Sequence, residues 1–221
     1  MSDPGFAIEH EVFSRAEVGR VKSALACDSL NRSRAGARHI LSSRPIAELA
    51  RDERLLELAT RWLGARAIPF KATLFEKSPT ANWLVAWHQD TALPMDTARV
   101  APGWGPWSKK YGVSYAHAPA RALEKVVALR IHLDDSDHSN GSLRVLSRTH
   151  EDGVLTDAQL LERAQRIESV DCHTLAGGVV VMRPLLIHAS SKATSQKPRS
   201  VVHIEYTNSL EIEPGMLLRV A

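Results

Sequence analysis

A histidine followed two residues later by a carboxylate could supply two ligands to a metal. In a β-strand, residues i and i+2 point to the same side, so both groups share one face. Two histidines and one carboxylate form the facial triad that holds iron(II) and leaves positions open for chemistry. The pattern occurs four times, as His88-x-Asp90, His132-x-Asp134, His150-x-Asp152 and His203-x-Glu205. Because ten histidines and 25 acidic residues in 221 positions give about one such pair by chance, spacing alone identifies no site.

The surroundings of the four pairs differ. His88-Gln89-Asp90 ends an apolar segment and leads directly into a long aromatic loop, where a site would meet a lid. The pair at His132 closes a strand at an acidic turn, the pair at His150 lies in a turn, and the pair at His203 is in the last strand. The first pair therefore has the most suitable context, although the others stay open.

A third ligand is best assigned to His188, the only imidazole in the apolar segment MRPLLIHASS. A hydrogen-bonded core histidine is the alternative for such a residue. Arg199 follows after a polar turn, and a hairpin between the two segments would place it beside His188. The planar guanidinium of arginine binds a carboxylate through two parallel charge-assisted hydrogen bonds, so this spacing indicates a site for a dicarboxylate.

The elements that would position these residues are short strands preceded by helices. Capping-box spacing predicts helices at Ser14–Cys27 and from Thr156, and an apolar stripe predicts one helical segment from Pro45 to Gly64. Eight strand-like segments lie at 67–77, 83–90, 124–135, 141–146, 169–175, 177–184, 185–191 and 198–207. This order predicts a mainly β fold, an antiparallel sandwich or barrel with the helices packed on one outer face.

Residues 91–123 form a connection far longer than the usual four to six residues or so. It carries five rings, at Trp104, Trp107, Tyr111, Tyr115 and His117. Loops of this length are often lids or binding loops, and we expect a lid-like loop here. The alternative is a loop whose rings pack on the barrel wall for stability.

Composition excludes several classes of protein. Charged residues at 24% and a net charge of +3 are globular values that favour neither disorder nor nucleic acid as a partner. Cys27 and Cys172 offer no zinc ribbon or disulfide framework. Without an apolar leader or a membrane-length run, a cytoplasmic protein with no membrane partner is expected, and its oligomeric state cannot be read.

Three blocks of the chain, WHQDTALP, LRIHLDDSDHSNGSLRVLSRTHEDG and GGVVVMRPLLIHASSKATSQKPRSVVHIEY, resemble the phytanoyl-CoA dioxygenase family of iron(II)- and 2-oxoglutarate-dependent oxygenases. The resemblance implies a double-stranded β-helix, or jelly roll, of the cupin-like kind, in one domain spanning 1–221. Within that domain, we expect helical support at 1–65, the barrel at 66–210 and the lid at 91–123.

The resemblance also implies roles for single residues. His88, Asp90 and His188 would bind Fe(II), and Arg199 and Ser190 would hold 2-oxoglutarate, with Thr73 and Lys77 as further contacts. Trp104, Trp107, Tyr115, Arg130 and His132 are candidate contacts to the substrate, a small or medium-sized molecule. Because related halogenases carry a small residue at the position of Asp90, its carboxylate favours hydroxylation with O2 as cosubstrate and release of succinate and CO2. The competing hypotheses are a cupin-type metal enzyme that does not use 2-oxoglutarate and a non-catalytic jelly-roll binding module.

Overall fold

The structure is a computed structural model that describes residues 3–221. Its helices are α1 (Arg15–Cys27), α2 (Arg44–Ala50), α3 (Glu53–Leu63), α4 (Ala120–Leu123) and α5 (Asp157–Arg166). Ser14 and Thr156 cap α1 and α5 through the predicted capping boxes. Every helix in this range is too short or too polar to cross a lipid bilayer.

The prediction of one helical segment from Pro45 to Gly64 is wrong in one respect, because the segment is two helices. Helix α2 ends at Ala50, and the Asp52 carboxylate accepts a hydrogen bond from the backbone N–H of Arg54 and so starts α3 afresh. A capping aspartate competes well with a continuous helix, since it satisfies an otherwise unpaired donor. Gly64 ends α3 in the left-handed conformation, as predicted.

The larger of two main sheets has seven antiparallel strands. In spatial order they are β1 (Phe6–Glu9), β12 (Val179–Met182), β9 (Val126–His132), β14 (Arg199–Thr207), β4 (Ile68–Lys77), β3 (Gly36–Arg38) and β2 (Arg32–Ser33). Strands β1, β2 and β3 lie within residues 1–65, the segment predicted as helical support. That prediction missed them because they are two to four residues long and extend the sheet at its two edges.

The smaller main sheet contains β11 (Val170–Cys172), β10 (Leu143–Val145), β13 (His188–Ser190) and β5 (Val85–His88), in that spatial order. Strand β13 therefore pairs with β10 and β5, whereas β14 belongs to the larger sheet. The predicted hairpin between the segments of His188 and Arg199 is wrong. The polar turn between them instead carries the chain from one sheet to the other, and both residues line the cavity between the sheets.

Residues 91–123 do not form an irregular loop. They contain β6 (Ala92–Met95), β7 (Trp107–Lys110) and β8 (Val113–His117), which form a separate three-stranded antiparallel sheet, followed by α4. A last hairpin is made by β15 (Glu211–Glu213) and β16 (Met216–Leu217). Pro and Gly residues around these short strands hide them in the sequence.

Side chains alternate between the two faces of the large sheet, so that one face contributes to an apolar core and the other lines a cavity. On β14, Val202 and Ile204 belong to the apolar core that includes residues of α3, whereas Arg199 and His203 line the cavity. The same division holds for β4 and β9, because side chains two residues apart share a face. The mainly β, antiparallel fold predicted from the sequence is confirmed, and the polar faces of its two sheets enclose the candidate site.

Candidate metal centre

Three predicted ligands, His88, Asp90 and His188, lie together at the end of the small sheet. One ligand atom of each lies within 4.8 Å of the others. His88 and His188 are register partners on β5 and β13, and their ring centroids are 4.1 Å apart. The two carboxylate oxygens of Asp90 face one imidazole each, at 3.7 Å from His88 Nε2 and 3.5 Å from His188 Nε2.

Backbone carbonyls fix both imidazoles in one tautomer. The Nδ1–H of His88 donates to the carbonyl of Ala86 at 2.8 Å, and the Nδ1–H of His188 donates to the carbonyl of Leu186 at 2.8 Å. Each ring then directs its Nε2 toward Asp90. This is how metal-binding histidines are usually oriented, because the second nitrogen of the ring is held by a hydrogen bond.

The charges of the three groups suit a divalent cation. Burial lowers the pKa of His188 to about 3, against the opposing effect of Asp90, so this imidazole is neutral at neutral pH. Burial would raise the pKa of Asp90, but the imidazoles of His188 and His88 and the Lys71 ammonium hold it below its ordinary value. Two imidazole nitrogens and one carboxylate fit Fe(II), which they would hold on one side only.

Gln89, between two of these groups, keeps the end of β5 in place. Its amide donates to the carbonyls of Leu185 at 2.7 Å and Gly153 at 2.8 Å, and its oxygen accepts from the N–H of Leu155 at 2.9 Å. These three hydrogen bonds fix the backbone between His88 and Asp90.

A buried guanidinium lies deeper in the cavity, on the large sheet. Arg199 is 3% exposed, and its Nη2 lies 3.4 Å from Ser190 Oγ. Its Nε and Nη1 have no hydrogen-bond partner among the described residues. Burial lowers the pKa of Arg199 to about 9, and Arg130 acts in the same direction. Since unpaired buried donors are costly, these atoms fit the carboxylate of a ligand such as 2-oxoglutarate.

Lys77 completes the surroundings of Ser190 but does not line the cavity. Its Nζ donates to Ser190 Oγ at 2.7 Å and to the carbonyl of Ser191 at 2.5 Å, and Ser190 Oγ donates to the carbonyl of Gly141. Gly141 has φ +73°, and a Cβ there would lie 2.4 Å from the Ser191 oxygen. Burial lowers the pKa of Lys77 to about 7. Thr73, the other predicted contact, lines the cavity directly.

A buried polar chain that was not predicted crosses the cavity wall. Lys71 Nζ donates to Glu205 at 2.6 Å, His203 Nε2 lies 3.3 Å from the same oxygen, and Arg130 Nη1 lies 3.1 Å from His203 Nδ1. Burial would lower the pKa of Lys71, but Glu205 raises it above its ordinary value. Arg199, His203 and Glu205 lie on one face of the otherwise apolar strand β14, and this pattern was the signal that could have indicated the wall.

Only some of the predicted substrate contacts line the cavity. Tyr115 and Arg130 line a cavity of about 420 Å³ that also includes the three candidate ligands. Trp104 lies outside this cavity and packs in a second apolar core, where its indole N–H donates to Glu213 at 2.7 Å, and Trp107 packs against the same core. His132 is fully buried and does not line the cavity.

Comparison with known proteins gives a family and several related folds. The family model described as phytanoyl-CoA dioxygenase (PhyH) matches residues 5–201. EctD from S. alaskensis, solved with 2-oxoglutarate and 5-hydroxyectoine, is 20% identical with a TM-score of 0.71, covering 92% of this chain and 72% of EctD. HygX from Streptomyces hygroscopicus, solved with nickel and 2-oxoglutarate, is 19% identical with a TM-score of 0.66, covering 93% and 84%.

A third structure has a different named activity. SnoN, a non-heme alpha ketoglutarate dependent epimerase from nogalamycin biosynthesis, is 17% identical with a TM-score of 0.66, and the match covers 94% of this chain and 79% of SnoN. A search among curated proteins finds no match. At these identities the solved structures establish a shared fold.

Proposed function

The chain belongs to the phytanoyl-CoA dioxygenase family, and we propose that it is an Fe(II)- and 2-oxoglutarate-dependent dioxygenase that hydroxylates a small or medium-sized organic substrate. The reaction would consume O2 and release succinate and CO2. The observation that carries the proposal is the convergence of His88, Asp90 and His188 in one cavity with the guanidinium of Arg199, whose Nε and Nη1 have no partner among the described residues.

In this proposal, the metal ligands come from one sheet and the cosubstrate anchor from the other. His88 and His188 would bind Fe(II) through Nε2, and Asp90 would bind it through a carboxylate oxygen. Bound iron and 2-oxoglutarate together supply the activation of dioxygen that oxidises a C–H bond. The protein residues hold the reactants in place, because orientation within a closed site lowers the barrier of the step.

Arg199 would fix the orientation of 2-oxoglutarate by binding its distal carboxylate. Ser190 Oγ would lie beside the same carboxylate, and the hydroxyl of Thr73 is a further candidate contact along the cavity wall. Lys77 would support this end through Ser190, since its ammonium is held against Ser190 and Ser191. A fixed distal carboxylate leaves the 2-oxo acid end of the molecule free to face the metal ligands.

Isotope labelling tests the reaction class. Purified protein with Fe(II), 2-oxoglutarate and isotopically labelled O2 is screened against candidate substrates, and succinate and the organic product are analysed by mass spectrometry. Hydroxylation predicts that one labelled oxygen atom enters the product for each succinate formed. An epimerised or desaturated product without labelled oxygen would contradict hydroxylation, and turnover that is unchanged by an iron chelator would contradict the metal-dependent mechanism.

A further inference from the structure

The cavity carries more positive charge than the proposed reactants neutralise. Five arginine and lysine side chains line it, namely Arg38, Lys71, Lys110, Arg130 and Arg199, with the carboxylates of Asp90 and Glu205. Lys71 and Glu205 form an ion pair at 2.6 Å. A divalent metal, the charge of Asp90, the two charges of 2-oxoglutarate and Arg199 together sum to zero. Arg38, Lys110 and Arg130 are left over, and none of the three forms a salt bridge within residues 3–221.

Two of these three residues end a row across the large sheet. The register pairs Arg130 with His203, His203 with Thr73, and Thr73 with Arg38. Because paired residues share a face and adjacent strands are about 4.8 Å apart, the row spans roughly 14 Å of the cavity wall. Arg130 is 7% exposed at the buried end of the row, whereas Arg38 is exposed at the other end.

Lys110 reaches the same open end from the three-stranded sheet. Its Nζ lies 5.1 Å from the ring centroid of Tyr115, and Lys71 Nζ lies 5.8 Å from that centroid. Tyr115 is itself held by His39, whose Nε2 is 2.6 Å from its hydroxyl. Burial lowers the pKa of Lys110, and the charges of Arg38 and Lys71 lower it further. Like charges gathered at a cavity entrance repel one another, and a bound anion relieves this repulsion.

We propose that the substrate is a small organic anion whose carboxylate or phosphate group binds between Arg38 and Lys110, beside Tyr115. Arginine offers two parallel donors to such a group, and lysine supplies a compact charge from the other side. The inference rests on the proposed function and adds a substrate class to it. It also explains why β3 and β7, which lie in distant parts of the chain, both contribute to one entrance.

Inorganic phosphate serves as the probe of this anion site. It is titrated by calorimetry into the full-length protein saturated with Ni(II) and 2-oxoglutarate, so that the metal centre and Arg199 are already occupied. We expect Arg38→Gln and Lys110→Gln each to weaken phosphate binding about fivefold or more, since each removes a charged donor. Lys109→Gln and Arg34→Gln are matched controls, because both residues are exposed, do not line the cavity and lose the same charge.

The outcomes separate this inference from the proposed function. In parallel, anaerobic Fe(II) and 2-oxoglutarate are added to each protein, and the visible charge-transfer band of the chelate is recorded. A band with no phosphate binding, or with equal weakening in Lys109→Gln, would overturn the anion site alone. Absence of the band in wild-type protein would overturn the proposed function and, with it, the assignment of the anion as a substrate.

Paired compounds then test the substrate class directly. In a screen of carboxylic acids and their methyl esters, we expect succinate release to be stimulated by acids and not by the matching esters. The stimulation should fall in Arg38→Gln and Lys110→Gln and persist in Lys109→Gln. Equal stimulation by an acid and its ester would contradict an anionic substrate.

Discussion

At the residue scale, the candidate centre depends on hydrogen bonds that fix each group before any metal binds. The carbonyls of Ala86 and Leu186 accept hydrogen bonds from the Nδ1–H groups of His88 and His188. The Nε2 atoms of both rings therefore point toward Asp90. The residue types and the pairing of His88 with Asp90 could be predicted from sequence, because a two-residue spacing on a strand is a local property. The row of hydrogen-bonded side chains from Lys71 to Arg130 could not be predicted, because its residues come from three different strands.

The ion pair between Lys71 and Glu205 makes a stability prediction at this scale. The two side chains are 13% and 6% exposed, so a single change leaves an unpaired charge in the cavity wall. We expect Glu205→Leu to lower the free energy of unfolding by about 3 kcal/mol. The double variant Lys71→Met/Glu205→Leu should recover much of that loss. Urea denaturation of Glu205→Leu, Lys71→Met and the double variant measures these free energies of unfolding. Simple additivity of the two single changes would contradict a coupled buried pair.

At the element scale, the path of the chain between sheets decides which residues meet. Sequence patterns located the strands that carry His88, His188 and Arg199, because their apolar runs and turn residues are local signals. The pairing of β13 with β10 and β5, and of β14 with β4 and β9, depends on contacts distant in the chain. A polar turn between two strands is therefore compatible with a hairpin within one sheet or with a connection to a second sheet. Here it connects β13 of the smaller sheet to β14 of the larger sheet.

The variant Trp104→Ala tests whether residues 91–123 form a packed sheet. Its ring lies in an apolar core and its indole N–H donates to Glu213, away from the candidate metal centre. We expect Trp104→Ala to destabilise the protein by about 3 kcal/mol through the lost packing. The affinity for 2-oxoglutarate, measured by titration of the anaerobic Fe(II) complex, should stay unchanged. A large loss of affinity with unchanged stability would instead assign Trp104 to the binding site.

At the scale of the whole molecule, the space between the two main sheets contains an apolar cluster and, at the candidate metal centre, buried charged groups. Such an interior stabilises the fold only while its buried groups keep suitable charge states. His132 shows this requirement, because it is fully buried and neither ring nitrogen has a partner among the described residues. Burial lowers the pKa of His132 well below its ordinary value, and Arg130 and Arg199 act in the same direction.

His132 therefore predicts how the stability of the metal-free protein depends on pH. Below a pH of about 6.5 the unfolded chain binds a proton at His132 that the folded chain does not, so stability falls as pH falls. This single group contributes a slope of about 1.4 kcal/mol per pH unit. We expect the loss of unfolding free energy between about pH 7.5 and about pH 5 to be smaller in His132→Leu by roughly 2 kcal/mol. Parallel curves for the two proteins would contradict this assignment.

In the proposed centre, His88, Asp90 and His188 bind Fe(II) while Arg199 anchors 2-oxoglutarate. Its most direct test is the visible spectrum of the purified protein after anaerobic addition of Fe(II) and 2-oxoglutarate. We predict a charge-transfer band in the wild-type protein, its loss in His88→Ala, and a band in Arg199→Ala that needs about tenfold or more 2-oxoglutarate, since a charge-assisted contact is removed. Absence of the band in wild-type protein, or an undiminished band in His88→Ala, would contradict the claim.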